Sequence, residues 1–185
     1  MSSRNRIVGA VCALALGLAA ASVSADVMVG GSAMYPQKNI VQNAVNSKDH
    51  TTLVAALKAA GLVETLESKC PFTVFAPVNS AFDALPAGTV DSLLKPQNKA
   101  TLGKVLTYHV VPGKLTSGDL DKLIEKGNGV ATLTTASGGK LWLMKNGSRN
   151  ITVKDETGTV ADITIYDVMQ SNGVIYSIDR VLLPK

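Results

Sequence analysis

The sequence predicts an α+β fold, and three observations carry that expectation. Short amphipathic helical segments crowd the stretch from Asn39 to Gly127. After Val130 the chain changes to five alternating or continuously apolar β runs, separated by turns rich in Gly and Asn. No βαβ rhythm links strands to crossover helices, which excludes a doubly wound parallel sheet.

The first 25 residues stand apart from that fold. Arg4 and Arg6 precede the uncharged run "IVGAVCALALGLAAA", which ends in the small residues "SVSA". A basic start, a short apolar stretch and a Val-Ser-Ala ending describe a secretory signal peptide over 1–25, cut after Ala25. The run is short for a spanning helix. Cys12 lies inside it instead of closing it, against a lipoprotein signal. Export implies a secreted or periplasmic protein of 160 residues, Asp26–Lys185, long enough for one domain with its own core.

The formal charge of +4 falls to +2 once Arg4 and Arg6 are gone. So small a charge, spread without clusters, argues against nucleic acid or an anionic membrane as partner. Aromatic residues make up only 4% of the chain, and no stacking platform for bases or sugars is evident. Cys70 is left as the sole cysteine after cleavage, so no internal disulfide can form. A free cysteine is usually buried, and burial is the expectation for Cys70. Exposure in the loop "SKCPF", with a disulfide-linked dimer in place of a monomer, is the alternative.

Residues 26–38 read as a loosely docked terminal arm without periodicity. Met28 and Met34, with no His or Cys nearby, are weak as copper ligands. A helix follows from Asn39, with Ile40, Val41, Ala44 and Val45 at helical spacing. "DHTTLVAALKAAG" gives a second, with Leu53, Val54, Leu57 and Ala60 on one face. Asp49 or Thr51 can cap it and Gly61 can stop it, which leaves His50 as a solvated residue at its mouth. "LVETLES" adds a short third segment. "FTVFAP" is a strand ended by Pro77. "NSAFDALP" makes a helical turn started by Asn79 or Ser80, with capping-box spacing from Ser80 to Asp83. After "TVDSLL", the run "NKATLGKVLTYHV" places Leu102, Val105, Leu106 and His109 on one helical stripe that passes into an extended "HVV". "SGDLDKLIEKGNG" forms a last helix, started by Ser117 or Asp119 and ended at Gly127. The strand runs "VATLTT", "KLWLMK", "NITVKD", "VADITIYDV" and "GVIYSIDRVLL" complete the chain.

Chemistry is scarce. No "GxSxG" elbow surrounds a serine, two separated histidines and one cysteine do not make a zinc site, and no glycine-rich phosphate loop follows a strand. No cofactor is expected. "NGS" at Asn146 and "NIT" at Asn150 match the N-glycosylation pattern. Tyr108–His109 is the one arresting pair. A histidine on an apolar stripe at a helix–strand junction can bond a backbone group left unpaired there. A tyrosine beside it can bury its ring and keep its hydroxyl on a polar partner.

Three blocks resemble the fasciclin (FAS1) domain family. "TVFAPVNSAFDALP" (73–86) looks like its first signature block, "LGKVLTYHVVPGKL" (102–115) its second, with Tyr108–His109 as the Tyr-His pair, and "GVIYSIDRVLLP" (173–184) its closing strand. The resemblance spans 39–185, and the whole chain is similar to the small secreted single-domain fasciclin proteins of bacteria. It implies a β-sandwich or wedge of about seven strands with short helices packed on it. It also implies a non-catalytic role in cell adhesion or extracellular interaction, and a core polar network of Asn79, Tyr108 and His109. The family commonly has threonine before the motif asparagine, and this chain has Val78, so one hydroxyl of that network is missing. The partner expected is an extracellular or cell-surface protein or polysaccharide of unknown identity. The candidate contacts are Lys145, Asn146 and Arg149 in the "KNGSRN" hairpin, with Lys114 and Asp119 in "PGKLTSGDL". Two other functions compete. One is a carrier of a small apolar ligand in a cavity between helices and sheet, and the other is an enzyme centred on His109.

Overall fold

The computed structural model describes residues 27–68, 70–147 and 150–185. The signal peptide expected over 1–25 and the candidate contact Arg149 lie outside the described residues.

Nine strands and seven α-helices are present among them. A two-stranded hairpin, β1 (Val27–Val29) and β2 (Ser32–Met34), leads into α1 (Ile40–Ala44), α2 (Thr51–Ala60) and α3 (Val63–Glu67). Then come β3 (Phe72–Pro77), α4 (Asn79–Asp83), α5 (Thr89–Leu93), α6 (Lys99–Tyr108), β4 (Val110–Pro112) and α7 (Ser117–Lys126). The chain closes with β5 (Val130–Thr134), β6 (Lys140–Asn146), β7 (Asn150–Lys154), β8 (Val160–Gln170) and β9 (Gly173–Ile178).

Seven strands form one mixed sheet in the order β4-β3-β9-β8-β7-β6-β5, the α+β wedge expected. Every pair is antiparallel except β3 with β9. The eleven-residue β8 serves both halves of the sheet. Register shifts between Ile163 and Ile165, and between Ile165 and Val168, bend it where it leaves β7 for β9.

That bend folds the sheet around an inner core. Phe75, Leu141, Leu143, Val153, Val174, Tyr176 and Ile178 point into it, joined by Leu120 and Ile124 from α7. Strand alternation sends the neighbours Val74, Ala76 and Ile175 to the opposite face. There Ile40, Leu53, Leu57, Leu102 and Leu106 of the helices cover them in a second core.

The terminal segment is not the loosely docked arm expected. Val29 and Met34 are buried in the helical core, because the short hairpin turns alternate side chains inward. Gly30 permits this: a Cβ there would stand 2.7 Å from the Asp49 amide nitrogen. His50 also departs from expectation. A 3-10 turn, Lys48–His50, precedes α2 and rotates the imidazole inward, where it is buried and not solvated. Cys70 is exposed, not buried, because β3 starts only at Phe72 and leaves the thiol in the loop before it. Gly61 ends α2 in the left-handed conformation, φ 73°, as its position predicts.

Candidate functional site

The Tyr108–His109 pair sits where α6 ends and β4 begins. His109 is the C-cap of α6, a position whose preceding carbonyls have lost their helical partners. Its Nδ1 lies 2.8 Å from the Val105 carbonyl oxygen, one turn back, and donates to it. Its Nε2 accepts the Leu182 amide hydrogen at 2.9 Å. Its own carbonyl accepts from the Phe75 amide at 2.9 Å, tying the junction to β3. Both ring bonds require the neutral imidazole with hydrogen on Nδ1. Burial holds its pKa down to about 4, against the opposing pull of the Val105 bond and the Asp155 charge.

Tyr108 is fully buried and points the other way. Its hydroxyl donates to the Lys140 carbonyl at 2.6 Å and accepts from the Glu156 amide at 3.0 Å. Burial foremost pushes its pKa up to about 12. The ring passes so close to Gly139 that a Cβ there would be 2.6 Å from Tyr108 Cε2.

Around the pair, the β7–β8 turn grips the C-terminal segment. Asp155, buried, takes the Leu183 amide on Oδ2 at 2.8 Å, and the Thr157 and Thr159 amides on Oδ1 at 2.9 and 2.8 Å. Glu156 accepts from the Lys140 amide at 2.9 Å and the Lys185 amide at 3.1 Å. Lys104 Nζ donates to the Lys185 carbonyl at 2.8 Å. His109, Asp155, Glu156 and Lys104 are thus a clasp that fastens residues 182–185 to α6 and to the turn, and Tyr108 braces that turn through the Glu156 amide. Asp155 went unnamed in the sequence reading, although a "DETG" turn is where an Asp commonly bonds the amides after it.

Asn79 belongs elsewhere. Its Oδ1 accepts from the Thr51 hydroxyl at 3.2 Å and the Thr52 amide at 3.1 Å, while its Nδ2 donates to the Lys48 carbonyl at 2.8 Å. It caps α2 from across the chain and bonds neither Tyr108 nor His109. Neither Asp49 nor Thr51 supplies that cap, because the 3-10 turn puts His50 at the N-cap position. The capping role expected of Asn79 or Ser80 on α4 is not taken up either. Val78 is the N-cap of α4 and makes no side-chain bond, the consequence of its lacking a hydroxyl.

The second histidine has serine partners. Ser47 Oγ is 2.9 Å from His50 Nδ1 and Ser177 Oγ 3.4 Å from Nε2. All three are buried, and the apolar cavity that His50 and His109 both line holds about 30 Å³, room for a water and not a substrate. Among the described residues no three His, Cys, Asp or Glu side chains are grouped to hold a metal ion.

The loop candidates differ among themselves. Lys145 Nζ pairs with Asp121 at 3.3 Å and Glu125 at 3.6 Å on α7. Asn146 and Lys114 are exposed. Asp119 is a capping residue of α7: the Thr116 hydroxyl at 2.7 Å and the Thr116 amide at 3.0 Å donate to its carboxylate and hold it below its ordinary range, while Thr116 Oγ1 takes the Asp119 amide at 3.3 Å. The residue joining α7 to the sheet is one the sequence did not suggest. Asp167, in β8 with φ 52°, accepts from the Ser117 amide at 2.8 Å and the Tyr176 hydroxyl at 3.0 Å. Burial, then the Asp167 charge, raises the Tyr176 pKa.

Comparison with known proteins places this architecture. Protein sll1483 of Synechocystis sp. is 48% identical over 157 residues, covering 85% of this chain and 79% of its own length. Cell surface glycolipoprotein MPB83 of Mycobacterium bovis is 31% identical over 185 residues, covering 90% of this chain and 76% of its own. Among solved structures, a FAS1 domain pair from the insect cell adhesion molecule Fasciclin I matches with TM-score 0.48 and 21% identity, over 77% of this chain and 43% of that one. No helix among the described residues is long and apolar enough to cross a membrane. The family model for the fasciclin domain matches residues 48–184, and the chain belongs to the fasciclin domain family.

Proposed function

We propose that this protein is an exported fasciclin-domain binding module, released after Ala25, that performs no catalysis and attaches to a surface-borne protein or polysaccharide. The layout proposed is a signal peptide over 1–25, an N-terminal segment over 26–38 and the domain over 39–185.

The observation that carries this reading is where the reactive side chains are. His50, Tyr108, His109 and Asp155 are buried and bonded to backbone groups or to serine hydroxyls, which leaves recognition to exposed loops. Two such loops flank α7. The Lys114 loop enters its N-terminus, and the end of β6 reaches it through Lys145, paired with Asp121 and Glu125. The mycobacterial relative's name, a cell surface glycolipoprotein, supports a surface role here too. The carrier reading has less support, since a small-molecule site needs about 300 Å³ or more and the apolar cavity between helices and sheet offers about 30 Å³.

The test is binding of the purified, folded chain to envelope fractions, polysaccharides and host-surface extracts. Saturable binding that survives moderate salt supports the reading. No binding to any of them, with an apolar molecule co-purifying, favours the carrier.

A further inference from the structure

The chain's one tryptophan stands on the outer face of β6. Antiparallel register sets Trp142 beside Thr132 on β5 and Lys154 on β7, with Val160 of β8 next in the row. Val130 and Met144 form the adjacent row. Val130 is 38% exposed and Val160 43%, so this face keeps large apolar groups in water. Beside it the β7–β8 turn rises as a wall. Trp142, Met144 and Val130, with Lys154 beside Trp142, line an open groove of about 440 Å³ together with Asp155, Glu156 and Thr157 of the turn.

The chemistry of this groove is specific. A half-buried indole offers an apolar plane beside the exposed Val130 and Val160. The wall offers the Lys154 ammonium, with the Asp155 and Glu156 carboxylates and the Thr157 hydroxyl, which already make bonds within the fold, beside it. Lys154 makes no ion pair among the described residues. One cation against two carboxylates leaves the groove slightly negative, unsuited to a polyanion such as nucleic acid. Its volume lies within the range of small-ligand sites. A pyranose ring has the matching surface, with a flat C–H face for the indole and a rim of hydroxyls for donors and acceptors. Aromatic residues are few in this chain, yet one ring suffices for one sugar.

We propose that the groove between Trp142 and the Lys154–Thr157 wall is a glycan subsite that seats a neutral pyranose unit. This rests on the surface-binding reading above and names the chemical class of its ligand. It also places recognition on the open sheet face as well as beside α7.

Because Trp142 is the only tryptophan, intrinsic fluorescence reports this site alone. The experiment titrates the protein with cello-, xylo- and laminari-oligosaccharides, with alginate oligomers as the anionic comparison. Affinity electrophoresis of wild type, Trp142→Ala and Lys154→Ala runs in parallel. The expected result is a saturable emission change with at least one neutral glycan and none with alginate. Retention is lost in Trp142→Ala and weakened at least tenfold in Lys154→Ala, whose exposed side chain is dispensable for folding. No saturable change with any neutral glycan overturns the proposal, as does retention that Lys154→Ala leaves intact. Envelope binding that persists in folded Trp142→Ala would overturn the subsite and leave the surface-binding reading standing.

Discussion

The Leu182 amide donates to His109 Nε2 across 73 residues of chain, at 2.9 Å, inside the core. That one bond fastens the segment after β9 to the end of α6 and fixes which nitrogen of His109 carries hydrogen.

Acid should therefore loosen the fold. The unfolded chain takes a proton on this histidine near pH 6.5, while folded His109 resists to about 4. Between those values the unfolded state binds more protons, so stability is fully present above 6.5 and falls as pH drops toward 4. The loss across the window is on the order of 3 kcal/mol for His109, and buried His50, lowered mainly by desolvation, adds in the same direction. Urea unfolding from pH 8 to pH 4 measures it, and His109→Gln should flatten the slope. An unchanged slope would mean that His109 does not titrate in this way.

Removing the imidazole leaves the Leu182 amide and the Val105 carbonyl without their partner. His109→Ala should cost about 1–3 kcal/mol. Hydrogen exchange should show the Leu182 and Leu183 amides losing protection ahead of the sheet. Uniform loss of protection would contradict the clasp.

Gly139 and Tyr108 brace the turn that holds residues 183–185. A methyl at 139 meets a rigid buried ring at 2.6 Å, so Gly139→Ala should destabilise by about 1–3 kcal/mol through overpacking. Tyr108→Phe should lose about 1–2 kcal/mol by stranding the Lys140 carbonyl and Glu156 amide. In the double variant the penalties should still both appear, since Phe keeps the ring that clashes. Thermal or urea melts decide it.

Much of this was legible in the sequence, and the limits are physical. Alternation marked β5, a continuous apolar run marked β9, and the stripe of Leu102, Val105 and Leu106 marked α6, because each pattern records what is buried. Partners distant in sequence leave no such trace. Nothing local says that Asn79 caps a helix 28 residues earlier, that Asp167 receives Ser117, or that Leu182 closes on His109. His50 and Cys70 were misjudged for a related reason: a 3-10 turn or a strand start rotates one side chain without changing the surrounding pattern.

The exposed Cys70 should react with a maleimide in native protein at the rate of an ordinary surface thiol, with peptide mapping placing the label. Cys70→Ser should change stability by less than about 0.5 kcal/mol. Protection of the thiol until unfolding would contradict its position.

The residues beside α7 should divide by role. Thr116→Ala removes one half of the capping box and should cost about 1 kcal/mol, and Asp119→Ala should lower the melting temperature as well. Lys145→Ala breaks only surface ion pairs and should cost less than about 1 kcal/mol. Melts of the three variants check this division.

The most direct test of the account measures stability and partner binding together in His109→Ala and in a Lys114→Ala, Lys145→Ala double variant. The account predicts that His109→Ala lowers the melting temperature while each folded molecule binds as before, and that the surface variant binds less with its melting temperature nearly unchanged. Lost binding in His109→Ala with an unaltered melting temperature would contradict it, and would make the Tyr108–His109 pair a functional site.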